Sequence, residues 1–157
     1  MSNAKLITLE SCNLVVTTGN YDVASFVRDD ARLVVQELSS SELGAAGMRT
    51  FFRIAEEWRL SDGEQAAIMN LGADQLRSAR TAEGAWMKDD TLERLSHVFG
   101  IFRAINTLLP NASRAAQWMR ATNHAPIFNG RSAVQLISSG RIEDLSLVRR
   151  YLEAECQ

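Results

Sequence analysis

Residues 115–137 read AAQWMRATNHAPIFNGRSAVQLI, and the punctuation of this stretch sets the fold class of the chain. A helix carrying Trp118 and Met119 has to end near Arg120, because Asn123, Pro126 and the Asn129-Gly130 pair are turn formers that favour non-helical backbone. Helix then resumes at Ser132. Ser132 and Gln135 have the spacing of a capping box, in which the hydroxyl accepts from the Gln135 backbone N–H while the Gln135 side chain reaches back to the Ser132 N–H. Leu136 and Ile137 follow as the first inward-facing pair.

Working outward, residues 90–109 (DTLERLSHVFGIFRAINTLL) form the longest helical pattern, with Leu92, Leu95, Val98 or Phe99, Phe102, Ile105 and Leu109 along one stripe. Pro110 ends it, and Asn111 is placed to cap the helix that leads to Trp118. Downstream, Gly140 precedes a closing helix from Glu143 to Glu155, with Leu145, Val148, Tyr151 and Leu152 at helical spacing. Glu143 and Asp144 complement the positive end of its dipole.

Further upstream, Met48, Phe51, Phe52, Ala55 and Trp58 make an amphipathic helix that stops before Leu60-Ser61. Ser61 and Glu64 form a second capping box and open a helix through Ile68, Met69 and Leu71, with Gly72 expected to stop it. A short helix from Asp74 to Arg80 comes next, and the sequence helix, Gly-containing turn, helix is the outline of a helix-turn-helix. The second helix of such a motif offers its solvent face to the DNA major groove. Here that face carries Gln75, Arg77, Ser78, Arg80 and Thr81, with Leu76 and Ala79 turned inward. Gln can read adenine and Arg guanine. The same outline occurs in bundles that touch no DNA, and Asp74, Glu83, Asp89 and Asp90 oppose the phosphate neutralisation on which DNA affinity rests.

Residues 6–18 hold two short apolar runs that read either as strands or as a tail. From Asp22 onward, Val23, Phe26, Val27, Ala31, Val34, Val35 and Leu38 repeat at three and four and predict a helix. Residues 39–47, SSSELGAAG, predict a small-residue connector. The expected organisation is an N-terminal helical segment over 1–46, a helix-turn-helix domain over 47–110 and a C-terminal helical domain over 111–157.

Composition bounds the chemistry. At 157 residues and 46% hydrophobic, the chain can bury one good core or two small ones sharing a helix. The net charge of −2 makes the whole molecule no attractor of nucleic acid or anionic membrane, although charge rises from −3 over 1–46 through −1 over 47–110 to +2 over 111–157. Cys12 and Cys156 lie at opposite ends, which argues against a disulfide scaffold or a zinc site and suits a reducing, cytoplasmic setting. No run approaches the length of a membrane span, and the first residues lack the apolar core of a signal peptide. His97 and His124 have no second ligand at metal spacing, and the Asp29-Asp30 and Asp89-Asp90 pairs would diverge on a helix. Gly44 and Gly47 lack the Lys-Ser of a phosphate loop, and Trp58, Trp86 and Trp118 read as core or interface anchors. No catalytic centre, metal or cofactor is expected.

The residues Trp118, Met119, Arg120, Thr122 and Asn123, the pair Ile127-Phe128, the run Asn129-Gly130-Arg131-Ser132, the pair Leu136-Ile137 and Gly140 together resemble the C-terminal domain of the Xre/MbcA/ParS toxin-binding antitoxin family. The resemblance extends over roughly residues 60–155, and Arg94-Leu95 with Phe102-Arg103 echo the pattern of its connecting helix. Two prolines of the usual pattern are missing: Asn123 follows Thr122 directly, and Ala133 stands at the first helical position. The resemblance implies an all-α antitoxin that binds a protein toxin and, as a homodimer, represses its own promoter. It also implies a toxin of the RES type that consumes NAD, which would be the toxin's substrate and not a cofactor of this chain. The toxin contacts expected from it are Arg120, Asn123, Phe128, Asn129, Arg131, Ser132, Arg149, Arg150 and Tyr151. Turn and cap geometry alone accounts for Asn129, Gly130 and Ser132 slightly better, which leaves Arg131 and Tyr151 as the stronger contact candidates. Two other readings remain open on sequence: a stand-alone DNA-binding regulator, and a scaffold with a vestigial helix-turn-helix.

Overall fold

A computed structural model describes residues 39–81 and 86–157, together with the backbone of four short strands nearer the N-terminus. Strands β1 (Lys5–Glu10) and β2 (Asn13–Thr18) pair antiparallel with Lys5 opposite Thr18, and β3 (Ala24–Ser25) pairs antiparallel with β4 (Val34–Val35). The apolar runs within 6–18 are therefore strands. Most of the helix expected from Asp22 falls outside the described residues, and its four described positions pair as strand.

From Ser40 onward the described chain is helical. The elements are α1 (Ser40–Glu57), α2 (Asp62–Met69), α3 (Ala73–Thr81), α4 (Thr91–Leu108), α5 (Ala112–Arg120), α6 (Ala133–Ile137) and α7 (Ile142–Glu155). Over these residues the fold is all-α. Both expected capping boxes are formed: Glu64 N–H donates to Ser61 Oγ at 3.2 Å while Ser61 N–H donates to Glu64 Oε2 at 2.8 Å, and Ser132 with Gln135 repeats the exchange at 3.1 and 2.8 Å. Asn111 Oδ1 accepts from the Arg114 N–H at 3.0 Å, as its position before α5 requires.

Two local expectations are corrected. The small-residue segment 39–47 is not a connector but the first half of α1, opened by a third capping box between Ser39 and Glu42. Its glycines are there for packing: a Cβ on Gly44 would lie 2.5 Å from Met87 Sδ, and one on Gly47 would lie 2.6 Å from Leu95 Cδ1. The cost of glycine in a helix, about 1 kcal/mol each, is offset by the close approach it allows. Helix α2 ends before Gly72, at Asn70, which takes the left-handed conformation with φ 51°. Asn tolerates that conformation because its side chain is short and polar.

Helix α4 is the axis of the molecule. It buries Leu92, Leu95, Val98, Phe99, Ile101, Ala104 and Ile105, a band too wide for one stripe, because α1 covers one side and α7 the other. Each buried Leu, Ile or Phe contributes roughly 2 kcal/mol. Gly100 lets the Arg149 side chain of α7 lie directly on the α4 backbone, and Leu145, Val148 and Leu152 close that seam. Buried residues from α1 to α7 form one contiguous core.

Candidate functional site

Two surfaces carry the candidate residues, and the structure treats them differently. On the helix-turn-helix, Arg80 is tied into the fold: its Nη2 donates to Asp62 Oδ1 at 2.7 Å and to Gln65 Oε1 at 2.9 Å, and its guanidinium lies 4.5 Å over the Phe52 ring. Gln65 in turn donates to the Leu60 carbonyl at 2.8 Å. Gln75 Oε1 accepts the Gly72 N–H at 2.9 Å, fastening the turn ahead of α3. Thr81 Oγ1 donates to the Ser78 carbonyl at 3.2 Å. Arg77 projects into solvent, with a side chain 75% exposed beside a still more open Asp74 at 2.8 Å. An exposed pair of this kind holds neither partner firmly. The helix-turn-helix outline is present, and Arg77 is its most available DNA-reading candidate.

On the C-terminal side, the loop between α5 and α6 is built from its own backbone. Asn123 N–H donates to the Arg131 carbonyl at 3.2 Å, and Gly130 N–H to the Asn123 carbonyl at 3.1 Å. Asn123 Oδ1 accepts from the Ala125 N–H at 2.9 Å, while Asn129 and Gly130 take positive φ of 48° and 78°. Phe128 is the plug of this loop. It is fully buried, edge-on to Trp118 at 5.9 Å and to Tyr151 at 5.3 Å between ring centres. Phe128 therefore cannot itself touch a partner, and it pins the loop onto α5 and α7. Ser132 is likewise buried in its capping box.

Arg120 is a joint between the two halves. Its Nε donates to the Trp58 carbonyl at 3.0 Å, Nη1 and Nη2 meet the Glu64 carboxylate at 3.2 and 3.0 Å, and Nη2 also reaches the Arg59 carbonyl. The hydrogen bond from Arg120 is the main reason the Glu64 carboxyl titrates below its ordinary range. Arg149 is half-engaged, with Nε 2.8 Å from Glu153 Oε1 and Nη1 facing Ser96. Arg131 and Arg150 are exposed and Tyr151 is half-buried, which leaves these three, with the tip at Asn129, as the accessible part of the expected contact set.

Sequence reading noted Arg94 only as a pattern residue, yet it is a buried cation at the centre of the fold. Its Nε meets Asp90 Oδ2 at 2.5 Å, Nη1 donates to the Ile68 carbonyl at 3.0 Å, and Nη2 donates to the Gly140 carbonyl at 2.9 Å. The Asp90-x-x-x-Arg94 spacing was a visible signal for the ion pair. The two carbonyls, from residues 26 and 46 positions away, had no local signal. One turn further along α4, His97 is held below its ordinary titration range by burial first and by the positive charge of Arg149 second.

A helix-turn-helix whose helices share a core with an appended helical domain defines the class. Residues 37–100 match the Antitoxin Xre-like helix-turn-helix domain, and residues 104–155 match the Antitoxin Xre/MbcA/ParS C-terminal toxin-binding domain. The uncharacterized protein y4oB of Sinorhizobium fredii (strain NBRC 101917 / NGR234) is 35% identical over 117 residues, covering 74% of this chain and 89% of that protein. The chain belongs to the Xre/MbcA/ParS family of antitoxins. The two matched segments meet inside α4, so that helix is common to both. Among the described residues no helix is long and apolar enough to cross a membrane.

Proposed function

We propose that this protein neutralises a cognate protein toxin by laying its C-terminal domain over the toxin's active site. The observation that carries this reading is the contrast inside the toxin-binding segment: its loop backbone is self-satisfied and plugged by Phe128, while Arg131, Arg150 and the edge of Tyr151 face outward. Arg and Tyr on a rigid support are the residue types that anchor protein interfaces. Asn129 sits at the loop tip, and Arg120, Asn123, Ser132 and Arg149 serve by holding the surface in shape. A toxin of the RES type, consuming NAD, is the partner that the family resemblance suggests. An interface of ordinary size is enough to close such a cleft.

Repression of its own promoter by a homodimer is the second part of the proposal, with Arg77 as the leading base or phosphate contact. The weaker support for this part lies in α3, where Gln75 and Arg80 already have partners inside the fold. Doubling of the contacts in a two-fold dimer would compensate. If the C-terminal surface has no partner, the reading that remains is a DNA-binding regulator acting alone.

The test is to induce the neighbouring open reading frame with and without this chain, following growth and cellular NAD, and then to co-purify the two proteins. Growth arrest and NAD loss that this chain reverses, with a stable complex, are the expected results. A harmless neighbour, or one that never binds, would favour the regulator. In that case specific DNA binding without any protein partner, falling steeply with salt, is the result to look for.

A further inference from the structure

Helix α2 is held at both ends by arginines that belong to helices outside the helix-turn-helix pair. At its start, Glu64 is gripped by Arg120 of α5. At its end, the Ile68 carbonyl accepts from Arg94 of α4, and the same guanidinium holds the Gly140 carbonyl in the turn that opens α7. Gly140 has φ 83°, and a Cβ there would lie 3.8 Å from the Ala67 carbonyl oxygen of α2. The other side of α2 is bonded to α3, through Asp62 and Gln65 to Arg80. Charge-assisted hydrogen bonds thus join α5 and α7 to α2, and a separate set joins α2 to the helix that would face DNA, with the α2 backbone between them. Bonds of this kind are shorter and roughly twice as strong as neutral ones. An open cleft of about 420 Å³, lined by Glu57, Arg59, Ala116 and Gln117, separates the end of α1 from the side of α5.

We propose that α2 is a relay: displacement of α5 or of the Gly140 turn changes how firmly α3 is held. Arg94 and Arg120 are its positioning residues. The identity of the displacing agent, a toxin on the C-terminal surface, rests on the proposed antitoxin role. The relay itself is a property of the isolated chain, so the two ideas fail separately. Energetic coupling is the quantity that must be measured, because adjacency alone does not establish it.

The experiment is hydrogen exchange by mass spectrometry on the full chain, comparing wild type with Phe128→Leu, which loosens the loop. Exchange in the first half of α1, away from the Arg120 contacts at Trp58 and Arg59, serves as the reference for global opening. Phe128→Leu is expected to speed exchange in α2 and α3 about tenfold relative to α1. Lys carries its three donors on a single nitrogen and cannot reproduce the guanidinium fork that reaches separated acceptors. In an Arg94→Lys, Arg120→Lys background the increment should therefore fall to within about twofold, as the non-additivity of a coupled network requires. Should the double background not fold, Arg120→Lys alone, at a partly exposed side chain, must still reduce the increment. Exchange in α2 and α3 that ignores Phe128→Leu, or an increment that persists unchanged without the arginines, would overturn the proposal.

Discussion

Helix α3 and the α5–α6 loop were both read from sequence as contact surfaces, and they reach opposite solutions. On α3 the side chains do the holding: Gln75 fastens the turn, Arg80 grips α2, and Arg77 alone among the charged candidates stands clear of the fold. In the loop the backbone does most of the holding, through Asn123, Gly130 and the buried ring of Phe128; Arg131 adds one long bond, from Nε to the Phe128 carbonyl at 3.4 Å, and Arg150 is exposed. A polar residue at a motif position is therefore a contact candidate only after its structural tasks are subtracted. By that measure the C-terminal surface is the better-equipped of the two.

Breaking the loop's support should have the largest effect. Phe128→Ala empties a site fully enclosed by Trp118 and Tyr151, and chemical denaturation should show a loss of about 3–5 kcal/mol. Next comes Arg94→Met, which leaves the Ile68 and Gly140 carbonyls unpaired and Asp90 without its partner. A loss of about 3 kcal/mol by the same assay is expected for a broken buried pair. Gly140→Ala, forced to a φ of 83°, should cost about 1–2 kcal/mol and lower the thermal midpoint accordingly. The contrasting variant is Arg131→Ala. It should leave stability within about 0.5 kcal/mol, as surface changes do, yet weaken toxin binding in a titration. Unchanged affinity would make Arg131 a loop residue like its neighbours.

The smallest expected effect is a pH dependence. His97 prefers to be neutral in the folded chain, so the unfolded chain takes up the proton first as pH falls through about 6.5, the ordinary value. Stability should be fully present above that pH and decline below it. Glu64, held ionised by Arg120, adds a further loss below about 4.5. His97→Gln should flatten the first decline in denaturation midpoints measured between pH 7.5 and 5.5.

Local grammar was legible where one residue answers another three positions away. Ser61 with Glu64, Ser132 with Gln135, and Asn111 before α5 placed three helix starts, and the apolar repeat placed α4. The family motif pointed to the right segment as well. Illegible features depended on distant partners. Gly44 and Gly47 read as linker because glycine lowers helix propensity, and the Met87, Trp86 and Leu95 atoms that need the space are remote in sequence. Phe128 read as a toxin contact because the ring of Tyr151 that encloses it comes 23 positions later. Arg94 read only as a pattern residue and Arg120 as a toxin contact for the same reason: their carbonyl acceptors are set by tertiary packing.

The most direct measurement is a neutralisation assay with the neighbouring gene's product, using cellular NAD and growth as readouts. Wild type is compared with Arg77→Ala on α3 and with Arg131→Ala, Arg150→Ala on the C-terminal surface. Wild type and Arg77→Ala are both expected to restore NAD and growth, while the double C-terminal variant folds normally and fails to do so. Full neutralisation by the C-terminal variant together with failure of the α3 variant would contradict the proposed C-terminal toxin surface.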